Sequence, residues 1–186
     1  MFDILIARLL LRIRYRSRSL ATNVRQFNAA VVAIEALVAA TPEPVLRGRR
    51  PVPALPGVTP IMRSWSAFMT IEHCNDVHEA LLGLIAGLEA GRDHELDIGD
   101  IGRFDYPVEC GPEVMTRFRD LATRIAGLPQ ALSFTGRGTF LHPIFGRLDS
   151  RSGYALLAFH LQLHVPQIRQ SIELNSQGEA KRDAAR

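Results

Sequence analysis

The chain has 186 residues, 47% of them apolar and 22% charged, which fits one globular domain and excludes disorder over most of its length. The formal charge of +3 is local, with five arginines between Arg8 and Arg18 and three between Arg47 and Arg50, so the body is near neutral and no nucleic-acid partner is expected. Cys74 and Cys110 are too few for a disulfide framework and lack CxxC spacing; they read as small buried hydrophobes of a reducing compartment, making a cytoplasmic protein the expectation.

Residues 1–19 are set apart as a basic N-terminal extension. The run FDILIARLLLRIRYRSRSL has its acid first and its apolar stretch broken by Arg8, unlike a secretory signal, and it is too short to span a bilayer. A helix is expected there, with leucines on the body of the protein and Arg8, Arg12 and Arg16 in water. A transit peptide or a basic helix on a membrane surface is the alternative.

The first bundle helix is predicted from Ala21 to Ala40, where Phe27, Val31, Ile34 and Val38 recur at helical spacing behind Thr22 or Asn23 as N-cap. Six of the eleven prolines fall between Thr41 and Ser64 and predict a long irregular crossover, which permits parallel neighbours. A second helix runs from about Ser64 to Ala90 and stops at Gly91. Loop chemistry leads to a third helix from Pro112 toward Pro129, followed by the glycine-punctuated connection SFTGRGTFLHPIFGRLD. The fourth helix is expected from Asp149 or Ser150 toward Asn175, with a polar, fraying tail over residues 177–186. This gives an all-α four-helix bundle over residues 20–176.

Placed at 100° per residue, the histidines become informative. On the second helix His73 falls in the apolar sector of Met69, Val77, Ala80, Leu81, Leu84 and Leu88, opposite Glu72, Asn75 and Glu79; Asp76 and His78 sit at its edges. On the fourth, Gly153, His160, His164, Gln167 and Ser171 share an inward stripe, with Arg151, Gln162 and Arg169 opposite. Imidazoles buried without partners are costly. Histidines at i and i+4 can present nitrogens to one ion, and His73 supplies a third from another helix. Three neutral imidazoles suit zinc, nickel, iron or copper, so one divalent ion is the expected cofactor, with zinc, nickel and iron leading. Leu161 stands where a zincin protease has its glutamate, and no histidine has a glutamate three residues before it as di-iron bundles require.

The segments WSAFMTIEHCNDVHEAL, HPIFGRLD and AFHLQLHVPQI resemble the DinB/YfiT-like superfamily of metal-binding four-helix bundles, close to a branch of unassigned activity, over roughly Leu20 to Ile172. The resemblance implies a long crossover between the first two helices and a divalent metal on His73, His160 and His164. It also matches Trp65 to a tryptophan eight residues before the first ligand and Gln167 to a polar residue after the last. Pro166 departs from the pattern and is expected to kink the helix beyond His164. The activity implied is a metal-dependent transferase or hydrolase acting with a small thiol or small-molecule substrate. A non-catalytic bundle, a homodimer among its forms, is the alternative. Asp76 and His142 are the candidates for acid–base work.

Overall fold

The computed structural model describes residues 18–95, 110–142 and 145–183, with side chains to Gly178. The extension expected over residues 1–19 therefore lies, except for its last two residues, outside the described part. Helix α1 is Leu20–Ala39, α2 is the short Glu43–Arg47, α3 is Ala67–Glu89, α4 is Val114–Ala131 and α5 is Ser150–Asp183. Strands β1 (His94–Glu95), β2 (Thr139–His142) and β3 (Gly146–Asp149) form one small sheet.

Local chemistry accounts for the helix starts. Ser19, one turn earlier than the expected cap, accepts from the Thr22 backbone N–H, and Ser66 accepts from that of Met69. Proline sets the crossover apart: after α2 the chain runs irregularly to a 3₁₀ turn at Met62–Ser64, and Trp65 lies just ahead of α3 rather than within it. Helix α5 continues through Pro166, which is solvent-exposed, and past Asn175 to Asp183, a stretch rich in Gln, Glu, Ala, Lys and Arg that favours helix over fraying.

The four long helices pack in a ring, α1 on α5, α5 on α3, α3 on α4 and α4 on α1. The crossover thus delivers α3 to the corner diagonal to α1 instead of placing the two side by side. Phe27, Ile34, Phe68, Ile71, Ile85, Phe118, Leu121, Leu157 and Leu161 fill the centre, all at most 2% exposed. At about 1.5–3 kcal/mol for each fully buried large apolar side chain, this core is what holds the helices together. A second cluster, Met62, Trp65 and Met69, sits under the crossover.

The connection after α4 is more than a glycine-rich loop. It forms a β2–β3 hairpin, with Phe140 opposite Leu148 and both fully buried, and β1 pairs in parallel with β2. Gly138 lets this segment approach α3: its N–H donates to the Leu88 carbonyl, and a β-carbon there would collide with the Leu88 and Arg92 backbone. The hairpin meets α5 just before the histidines, where Phe145 packs edge-on against Phe159.

Candidate metal centre

Helix α3 is buried on more sides than its sequence pattern predicts. The inward row is Phe68, Ile71, Cys74, His78, Leu81 or Leu82, Ile85 and Leu88, rotated from the expected sector so that Ala80 is exposed. Asn75, expected in water, is fully buried against α4, where its amide donates to the Val114 carbonyl and to Glu72. His78, expected at an edge, is 2% exposed and lies deeper than His73 at 8%. The sector was misplaced because a helix touching both α4 and α5 has no single wet face to define its orientation.

The polar stripe of α5 is inward as expected: His164, Gln167 and Ser171 are at most 1% exposed, and Asn175 is buried below them. Its lower half faces the crossover, whose irregular backbone offers polar groups for side chains to bond. Gln167 donates to the Met62 carbonyl at 2.8 Å, Ser171 to the Trp65 carbonyl at 3.5 Å, and the Asn175 side-chain Oδ1 accepts from the Arg50 backbone N–H at 3.4 Å.

The upper half meets α3. Nε2 of His160 lies 3.2 Å from Nε2 of His73 and 3.3 Å from Nε2 of His164. One ligand atom from each of the three residues lies within 4.8 Å of the others, a group able to hold a metal ion. Two nitrogens bound at 2.0–2.1 Å to a tetrahedral ion would stand about 3.3–3.4 Å apart, so both close pairs already have that spacing.

Hydrogen bonding sets the direction of one lone pair. The Gln167 amide nitrogen is committed to Met62, so its oxygen faces His164 and accepts from Nδ1–H at 2.8 Å. With its proton on Nδ1, His164 turns a bare Nε2 toward His160. A second ring is fixed by packing: Trp65, 1% exposed, stacks at a tilt on His73 with centroids 5.2 Å apart.

Electrostatics favours neutral rings. Burial, then the neighbouring His73, holds His164 down to about 3 against the pull of its bond to Gln167. His160 is only half-buried by surface, yet the atoms packed about its ring, followed by His164, His73, His78 and His142, hold it well below the usual imidazole value. Neutral imidazole is the form that ligates metals.

The two acid–base candidates are placed differently. Asp76 is half-exposed and tied at 2.7 Å to Arg117, which also holds Glu72 at 2.7 Å, so its carboxylate is engaged across to α4. His142 ends β2, its Nδ1 accepting from the Phe145 N–H at 3.3 Å and its ring 4.7 Å from that of Phe145. Burial holds its pKa down to about 4, and its charge would be felt at His160.

No family model matches this chain, and no curated protein matches it. Among solved structures it is similar to YfiT from Bacillus subtilis, described as a probable metal-dependent hydrolase with an unusual four-helix bundle topology. The TM-score is 0.62 at 14% sequence identity, over 84% of this chain and 89% of that one. Likeness at that identity speaks to architecture alone: the chain has a four-helix-bundle fold like that of YfiT, the fold class expected from its sequence.

Proposed function

We propose that the chain binds one divalent metal ion through Nε2 of His73, His160 and His164 and uses it in a metal-dependent reaction on a small molecule. The observation that carries this is the convergence of three ring nitrogens on one point. His164 already directs a lone pair there. A proton on Nε2 of His160 could serve either His73 or His164 well but not both, whereas a cation takes all three lone pairs at once. When bound, a divalent ion with three protein ligands keeps a position for water or a substrate thiol and lowers its pKa. Transfer to or from a small thiol, or hydrolysis, is the reaction class this favours, with zinc, nickel or iron as the ion.

Within this reading the protein's own groups orient and shield. Gln167 holds the His164 tautomer, Trp65 backs the His73 ring, and the Phe145–His142 pair borders the site from the hairpin. His142, neutral at pH 7 and with its Nδ1 taken by the Phe145 N–H, carries its proton on Nε2 and can offer a hydrogen-bond donor there. One observation favours the second reading, a bundle whose ion is structural: Asp76 is engaged by Arg117.

Cobalt substitution tests the proposal. Tag-free protein should take up about one equivalent, and added thiol or azide should change the visible d–d bands saturably. An uptake of zero sinks the metal site, while bands indifferent to every added ligand leave the structural reading. No helix among the described residues is long and apolar enough to cross a membrane.

A further inference from the structure

His78 has no role in the arrangement above. It lies on α3 between Phe27 of α1, with ring centroids 5.8 Å apart, and His160 of α5, with centroids 5.4 Å apart and ring planes at 69°. Its Nε2 is buried without a hydrogen-bond partner, and so is Nδ1 of His160. Orphaned buried ring nitrogens are expensive, and here two sit on adjacent rings.

Their chemistry is complementary. If Nε2 of His160 offers a lone pair to the ion, its proton is on Nδ1, which is then a donor in need of an acceptor. A ring nitrogen lies about 1.1 Å from its centroid, so about 3.2 Å is the closest that nitrogens turned toward each other on these two rings could stand, the outer range of an N–H···N bond. One water satisfies the same pair at longer range.

We propose that His78 is a positioning residue of the metal centre. Its Nε2 accepts the Nδ1 proton of His160, directly or through one water, and so fixes the tautomer that aims Nε2 of His160 at His73 and His164. The proposal rests on the metal reading of those three histidines. Gln167 does for His164 what His78 does for His160, so each ligand of α5 has its own acceptor behind it. His78 must then carry its own proton on Nδ1.

The test compares wild type with His78→Leu and His78→Gln. In metal-free protein, ring nitrogen NMR shifts should show His160 protonated on Nδ1 in wild type and losing that preference in His78→Leu. Zinc affinity by chelator competition should fall about 10–100-fold in His78→Leu. His78→Gln, whose amide oxygen can accept the same proton, should recover most of it. Should His78→Leu fail to fold, His78→Asn takes its place, since its shorter amide stops short of His160. Equal zinc affinity in wild type and the leucine or asparagine variant overturns the proposal. So does X-ray absorption showing four imidazoles on zinc in wild type and three in the variant, because His78 would then be a ligand. If wild type takes up no zinc, the metal reading fails, while the tautomer of His160 in metal-free protein still decides whether the pair exists.

Discussion

The two halves of the α5 stripe are built from similar residues and solve opposite problems. Below, Gln167 and Ser171 donate to backbone carbonyls of the crossover, and Asn175 accepts from the Arg50 N–H while donating to the Ser171 carbonyl of its own helix. Above, His160 and His164 meet His73, and nitrogen faces nitrogen. Burial of polar groups is thus no sign of a binding site in itself. What distinguishes a site from a brace is whether the protein supplies the complementary partner, and the upper half does not.

The sharpest way to break that comparison is to remove a nitrogen. His160→Ala or His164→Ala should reduce metal from about one equivalent to background, read by elemental analysis of tag-free protein, with most helical circular dichroism retained. In wild type, zinc at 100 times its Kd should add about 2.7 kcal/mol of stability. For a chain of this size that is a Tm rise of roughly 5–11 °C, absent in both variants. Similar zinc-induced shifts in all three proteins would move the ion elsewhere.

Acid should separate the halves next. His78 and His164 are held down to about 3, and His160 is also lowered, so below pH 6.5 the unfolded chain binds more protons than the folded one. Their contribution to stability is therefore complete above about pH 6.5 and is lost as pH falls toward 3. The Tm of metal-free protein should drop through that window, and the drop should flatten in His160→Ala. Metal affinity should weaken over the same range, because protons compete for the ligands. A wild-type Tm that stays level between pH 7 and 4 would contradict the buried neutral rings.

Gln167 belongs to both halves, and two substitutions divide its roles. Gln167→Ala should weaken metal binding about 10–100-fold by freeing the His164 tautomer, and should also lower the Tm by removing the bond that ties α5 to the Met62 carbonyl. Gln167→Glu keeps an acceptor for His164 but offers Met62 no donor. It should retain metal affinity while losing stability. Parallel losses in both properties for the glutamate variant would show that its two bonds act as one unit.

How much of this was visible in the chain itself follows the same division. The α5 stripe was legible because one side of that helix carries an unbroken polar row, His160 to Ser171, bounded by Leu156, Leu157, Leu161, Leu163 and Ile168. His73 was legible as the third partner even though the sector around it was misplaced. His78 was not, since on a helix packed against two neighbours a histidine at the assumed edge can be central; its spacing with Phe68, Ile71, Cys74, Leu81 and Ile85 was the available signal. The small sheet escaped for another reason. Its strands are two to four residues long, and what commits Phe140 and Leu148 to the core is contact with helices distant in sequence. Nor could spacing show that Asp76 is drawn to Arg117, 41 residues away.

The smallest effect belongs to Ser171, and its smallness is the point. The hydroxyl is fully buried one turn below Gln167 on the histidine face, so by position alone it could be counted with the centre. Its bond to the Trp65 carbonyl is 3.5 Å long, at the limit of a useful hydrogen bond, and it touches no ring nitrogen. Ser171→Ala removes that one weak interaction and leaves a methyl group in its place. A well-formed bond contributes about 0.5–1.5 kcal/mol, so a stretched one should contribute at or below the lower end, a Tm change of roughly 1–2 °C. Zinc affinity should match wild type within a factor of two by chelator competition. A tenfold loss of affinity would mean that the Trp65 backbone, through the ring stacked on His73, transmits strain to the ligands. The brace and the site would then be one device, and their separation along α5 would be wrong.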